Sequence, residues 1–123
     1  MGWNLTDNGP IWMQLHHQLM QRISAGVYPK GSKIPTVREL AAEAGVNPNT
    51  MQRALAQLEA DGLVVTNNRT AGRTVTEDGE VLAGMCRQLA REQIQAYFDG
   101  MKQLGFTAQQ AKEFVQTWKE EER

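Results

Sequence analysis

The sequence predicts a mainly α-helical chain with one small β-hairpin, and three observations carry that reading. Two short helices with clear start signals flank a three-residue turn, Gly45 to Asn47. Two β-branched runs follow, with Asn, Gly and Arg between them. From Asp78 onward the apolar residues keep helical spacing almost to the end of the chain.

With 123 residues there is room for one domain, or a small domain with an appendage, and for a modest core. The formal net charge of −1 hides an asymmetry. Through Val75, seven basic residues (Arg22, Lys30, Lys33, Arg38, Arg53, Arg69, Arg73) face five acids (Asp7, Glu39, Glu43, Glu59, Asp61), a balance of +2. From Thr76 onward six basic residues face nine acidic ones, a balance of −3. The front half therefore carries the positive field, and the back half is biased away from phosphates. The single cysteine, Cys86, excludes an internal disulfide and fits a reducing compartment. No apolar run approaches membrane-spanning length, and the N-terminus lacks the basic and apolar regions of a signal peptide, so a cytoplasmic protein is expected.

Residues 1–9 read as a short arm in which Trp3 and Leu5 alternate as in a strand, closed by a turn signal at Asp7, Asn8 and Gly9. Pro10 opens a first helix whose stripe of Ile11, Leu15, Leu19, Met20 and Ile23 runs to a stop at Gly26. Val27 to Ile34 reads as a loop carrying Lys30 and Lys33.

Thr36 followed by Glu39 has capping-box spacing and starts a short helix at Val37, with Val37, Leu40, Ala41 and Ala44 at helical spacing. Gly45 suits the left-handed residue that ends it. Asn47 is a good N-cap, and Pro48 at the first helical position starts a second helix running to about Asp61. Met51, Ala54, Leu55 and Leu58 fall on its core side, and Asn49, Arg53, Ala56 and Ala60 opposite, flanked by Gln52 and Gln57. Such a helix-turn-helix, with an amide-rich outer face, suits insertion into the major groove of double-stranded DNA. Asn and Gln can pair bidentately with adenine and Arg with guanine, while Thr can contact a phosphate or base edge. A small helical pair with a solvated polar face fits the same residues.

Leu63 to Thr66 and Thr74 to Thr76 read as strands, with Asn67 to Arg73 as the connecting tip. A long helix is expected from about Asp78 to Leu104, with Val81, Leu82, Met85, Leu89, Ile94, Tyr97, Phe98 and Met101 forming more than one apolar edge. Gly105 ends it, Thr107 and Gln110 repeat the capping-box spacing, and a last helix carries Ala111, Phe114, Val115 and Trp118 into a charged tail. Two helices alone cannot bury that many large apolar side chains. The surplus must cover the front domain as a lid or pack against a second copy. A homodimer is the expectation, with Leu82, Met85, Leu89, Tyr97, Phe98, Met101, Phe114 and Trp118 as its contacts.

His16 and His17 do not form a metal site, since helical neighbours point about 100° apart and no Cys or carboxylate cluster completes the set. No metal and no cofactor is expected. There is no Gly-rich phosphate loop and no nucleophile arrangement around Ser24 or Ser32, which argues against an enzyme.

The run from Pro10 to Thr76 resembles the winged helix-turn-helix of the GntR family of bacterial transcription regulators. The resemblance rests on the Pro-Ile-Trp start at Pro10, the segment GSKIPTVRELA and the helix VNPNTMQRALAQLEADGLV. It implies that the hairpin is a wing reaching the sugar-phosphate backbone or minor groove, and that Arg38 matches an arginine that commonly contacts phosphate. Family wings often carry two glycines around a basic residue, whereas this one reads NNRTAGRTVT, which leaves its register open. Some relatives place arginines where this chain has Pro48 and Gln52, so base preference does not carry over. The candidate DNA contacts are Thr36, Arg38, Asn47, Pro48, Asn49, Thr50, Gln52 and Arg53, with Arg69, Thr70, Gly72 and Arg73 in the wing.

The short two-helix tail and the VNPNT segment are similar to the YtrA subfamily, which implies residues 1–77 as the DNA-binding domain and 78–123 as a dimerisation tail. Members of that subfamily are mostly repressors of nearby transporter operons, and the resemblance implies no dedicated ligand pocket. Two other readings stay open. One is a small-ligand sensor with a pocket between tail and winged domain, lined by Trp12, Met85, Phe98 or Trp118. The other is an interaction module that kept the winged fold without specific DNA binding, which the near-neutral charge favours.

Overall fold

A computed structural model describes residues 2–67 and 72–119. The elements run α1 (Ile11–Ser24), α2 (Val37–Ala44), α3 (Pro48–Ala60), β1 (Val64–Asn67), β2 (Gly72–Val75), α4 (Gly79–Gln103) and α5 (Ala108–Thr117). The chain divides into two compact units, Met1–Cys86 and Arg87–Arg123.

Local chemistry accounts for most helix ends in the first unit. Thr36 and Glu39 form a full capping box: the Thr36 hydroxyl accepts from the Glu39 N–H at 3.2 Å, and the Glu39 carboxylate accepts from the Thr36 N–H at 3.0 Å. Gly45 closes α2 in the left-handed conformation at φ +70°, which a side chain would strain. The Asn47 side chain then accepts from the Asn49 N–H at 2.8 Å, and Pro48 occupies the first turn of α3. Pro10 lies one residue before the start of α1, at its N-cap.

The core of this unit is built on α3. Met51, Ala54, Leu55 and Leu58 are fully buried, against Leu15, Leu19 and Ile23 of α1 and Leu40 and Ala41 of α2. Tyr28, Ile34, Leu63, Val64, Val75 and Met85 are buried as well. Each large aliphatic side chain removed from water contributes about 1.5–3 kcal/mol. The 3.6-residue stripes read from the sequence are the buried faces, except that Ile11, Met20, Val37 and Ala44 lie half-exposed at the margins.

The strands are longer towards the tip than expected. β1 and β2 pair antiparallel as Val64 with Val75, Val65 with Thr74, Thr66 with Arg73 and Asn67 with Gly72, so both ends of the expected connecting segment belong to the ladder. The segment expected as a loop before α2 supplies a third edge. Gly31 N–H donates to the Val75 carbonyl at 3.0 Å, Val75 N–H to Ser32 at 2.9 Å and Ile34 N–H to Arg73 at 3.0 Å. Buried Ile34 fixes this register, because a slip by one residue would turn it to solvent.

The N-terminal arm is held by side-chain amides rather than by a strand partner. Gln14 and Gln18, one turn apart on α1, each accept from an arm N–H and donate to an arm carbonyl. Gln14 pairs with Thr6 at 2.8 and 2.9 Å, and Gln18 with Asn4 at 2.9 and 2.7 Å. The two glutamines thus imitate the edge of a sheet.

The second unit is a helical hairpin. The Thr107–Gln110 capping box starts α5, the Tyr97 hydroxyl donates to the Ala111 carbonyl at 2.7 Å, and Ala111 is fully buried. The Phe106 and Phe114 rings meet edge to face with centroids 5.0 Å apart. Much of the apolar surface stays open: Ile94, Val115 and Trp118 are 56%, 59% and 68% exposed. None of the described helices is long and apolar enough to cross a membrane.

Candidate nucleic-acid interface

The outer face of α3 is the candidate reading surface. Asn49, Gln52, Arg53 and Ala56 are exposed, with Thr50 half-buried beside them, while the opposite face is sealed in the core. Asn47 and Pro48 lie at the exposed start of the helix. The Asn47 carbonyl oxygen is committed to the cap, which leaves its NH₂ group free to donate. The uncapped N–H groups and positive dipole end of α3 favour a phosphate at the same place.

Arg53 is the one cation on α3, and its guanidinium carbon lies 4.4 Å from the centroid of the Trp12 ring on α1. The acids near the far end of the helix are engaged elsewhere. Asp61 accepts from Gln57 at 2.9 Å and lies 2.7 Å from His16 Nε2, while Glu59 accepts from the Thr66 hydroxyl. His16 is thus a half-buried helix residue with a carboxylate partner. Among the described residues no group of three or more His, Cys, Asp or Glu gathers as a metal site.

Thr36 and Arg38 stand exposed at the start of α2. The Thr36 oxygen accepts from the capping N–H, so its own O–H still has a hydrogen to donate. The wing residues divide. Arg69 and Thr70 lie outside the described residues. Arg73 is at the strand rather than the tip, with its Nε 3.6 Å from Glu59 on α3, which braces the wing against that helix. A Cβ at Gly72 would come within 2.5 Å of Lys33 Cε, so Gly72 leaves clearance for that side chain to cross the wing. Lys33 therefore lies across β2 at Gly72; its position emerges from the third sheet edge, which local sequence does not signal.

Arg22 departs from the sequence expectation. Composition places it in the positive field of the front half, yet it is 4% exposed and bonded to Glu43 at 2.8 Å. Burial lowers the affinity of the guanidinium for its proton, but hydrogen bonds to Glu43 and Tyr28 more than restore it. The Glu43 carboxyl is held below its ordinary range by its hydrogen bond to Arg22; burial opposes this, and the Trp3 indole adds to the lowering. This pair supports α1 against α2 and offers no charge to a ligand.

The expected dimer contacts also divide. Met85 and Leu89 are already buried in the single chain, at 7% and 9% exposure, which leaves them little surface for a partner. Leu82, Tyr97, Phe98 and Met101 are half-buried, and Phe114 and Trp118 are exposed. Tyr97, Met101, Phe114, Val115 and Trp118 line one apolar groove of ≈ 370 Å³. Ile94, Phe98 and Val115 line a second of ≈ 430 Å³. Ile94 and Val115 extend the contact set expected from sequence; the spacings Ile94 to Phe98 and Val115 to Trp118 are the helical signal that marks them.

The family model for bacterial regulatory proteins of the gntR family matches residues 13–73. YhcF of Bacillus subtilis, an HTH-type transcriptional regulator, is 34% identical over 111 residues, covering 90% of this chain and 91% of that protein. The HTH-type transcriptional repressor YtrA of Bacillus subtilis is 35% identical over 71 residues, 58% of this chain and 54% of that protein. A GntR family transcriptional regulator from Listeria monocytogenes superposes with a TM-score of 0.80 at 31% identity, covering 94% of this chain and 100% of that one. The two-stranded hairpin is thus the wing of a winged helix-turn-helix, and the chain belongs to the GntR family of DNA-binding transcription regulators, a family of regulators rather than enzymes.

Proposed function

We infer that this protein is a cytoplasmic repressor of the YtrA type that binds an inverted-repeat operator as a homodimer. Residues 1–77 act as the DNA-binding domain and 78–123 as the dimerisation tail. The observation that carries the reading is the exposed Asn49, Gln52 and Arg53 face of α3, mounted on a fully buried opposite face. Asn47 to Arg53 enter the major groove, Arg38 and the wing hold the backbone, and occupancy blocks transcription. The exposed apolar face of the hairpin supports the dimer. At ~25 cal/mol per Å², a few such side chains buried across an interface stabilise it by several kcal/mol. The similarity to a protein named as a repressor supports repression, and regulation of a transporter operon is the extension of that likeness.

Selection of sheared genomic DNA by the purified protein at near-physiological salt tests this. A few recovered fragments sharing an inverted repeat support the operator reading. Uniform recovery contradicts it and leaves a non-specific DNA binder; no recovery leaves a protein that needs an effector or an interaction module.

A second reading, a small-effector site, has one observation behind it: a ≈ 370 Å³ groove with the size and apolar lining of such a site lies on the hairpin itself, and of the expected lining it includes Trp118 alone. Ligand-dependent quenching of tryptophan fluorescence supports an effector, and an unchanged spectrum across apolar ligands counts against one.

A further inference from the structure

Trp12 stands 41 positions before Arg53 in the chain, yet the crossing of α1 over α3 brings its ring beneath the Arg53 guanidinium, 4.4 Å from centroid to Cζ. Trp12 itself is half-buried and Arg53 is exposed. A guanidinium is planar, and its five N–H donors point outward in that plane. Among the described residues no hydrogen bond of Arg53 is present, so the ring supports the cation without a carboxylate or carbonyl taking up its donors. Ion pairing with a carboxylate would instead occupy the donors, and among the described residues no ion pair of Arg53 is present, Glu59 and Asp61 being engaged with Thr66, Arg73, His16 and Gln57. An unsupported arginine loses its rotamer freedom on binding, whereas one already resting on a ring loses less.

We propose that Trp12 is a positioning residue for sequence recognition: it carries Arg53 on its ring and presents the free edge of the guanidinium to the O6 and N7 acceptors of a guanine in the major groove. Trp12 does not itself read a base; it sets how strongly and how selectively Arg53 does. This rests on the operator reading above and names one base-reading contact within it.

The test is a double-mutant cycle on a retained operator fragment and on a set of fragments with each base pair altered in turn. Trp12→Tyr keeps an aromatic face, Trp12→Met keeps apolar bulk without one, and each is combined with Arg53→Ala. Melting temperatures establish that every variant is folded, and Trp12→Tyr serves if Trp12→Met does not fold. The expected result is a ~2- to 5-fold loss of operator affinity in Trp12→Met. That loss should appear as relaxed preference at the same guanine that Arg53→Ala relaxes, with most of the affinity kept in Trp12→Tyr. In the Arg53→Ala background, changing Trp12 should add nothing. Losses that simply add, or a Trp12 loss equal on every sequence with a smaller salt slope, overturn the proposal and leave Arg53 on a phosphate. If Trp12→Met does not fold and Trp12→Tyr fails to preserve the preference for that guanine, the proposal is overturned too. Failure of the unaltered protein to prefer any fragment overturns the operator reading and this proposal together, while intact preference without coupling overturns this proposal alone.

Discussion

Arg22 donates to the Glu43 carboxylate at 2.8 Å, and the same oxygen accepts from the Trp3 indole at 3.0 Å. The Trp3 ring lies over the Arg22 guanidinium at 3.9 Å, and the Tyr28 hydroxyl accepts from Arg22 at 2.9 Å. One buried cation therefore ties the N-terminal arm, α1, the following loop and α2 together.

Removing Glu43 leaves that cation with less compensation. Glu43→Ala should destabilise the protein by about 1.5–3 kcal/mol, the range for a hydrogen bond to a charged group. Urea unfolding measures it. The pH dependence follows from the same bond. The Glu43 carboxyl, held low by Arg22, and the Glu39 carboxyl, held low by the Thr36 N–H, titrate below their unfolded values. Their contribution is complete above the ordinary carboxylate range, about pH 4–5, and is lost as pH falls through the lower folded values. Glu43→Gln should accordingly show a shallower acid decline in stability than the unaltered protein. Parallel curves would remove Glu43 from the account.

Thr36 and Thr107 hold equivalent capping boxes in different units. Replacing either by Ala should cost ~1 kcal/mol of local helix stability, and by Ser much less. Hydrogen exchange should place the first loss in α2 and the second in α5, without spread from one to the other.

These boxes also show what the sequence made legible. Helix starts at Val37, Pro48 and Ala108 follow from hydrogen bonds between residues three or fewer apart, so local spacing reveals them. Non-local features were hidden. The third sheet edge depends on Ser32 and Ile34 meeting β2 some forty residues later, and nothing near Lys33 announces it. Arg22 reads as a surface charge until Glu43 is brought to it. The face of α3 was legible because a 3.6-residue period separates Leu55 from Gln52 and Arg53. The ring beneath Arg53 was not, since helix crossing and not sequence spacing places Trp12 there.

Trp118 and Val115 test the tail. Trp118→Glu or Val115→Glu should shift sedimentation from dimer to monomer while leaving helix content unchanged, because both side chains are exposed in the single chain. Operator affinity should fall with it, since the two half-sites are then bound independently. An unchanged dimer would move the interface away from this face.

Arg38 tests the division between holding and reading. Arg38→Ala should weaken binding to all sequences alike and lower the slope of log affinity against log salt by about 0.9, the share of one phosphate contact. A change in sequence preference with an unaltered slope would make Arg38 a base reader instead.

Methylation interference and hydroxyl-radical protection on a recovered operator fragment address the central claim most directly. Two recognition helices in one dimer predict two major-groove segments, centred about 10 bp apart on one face of the duplex, where modification or binding excludes the other. A single segment, or even protection along the whole fragment, would contradict a two-fold reader built on α3.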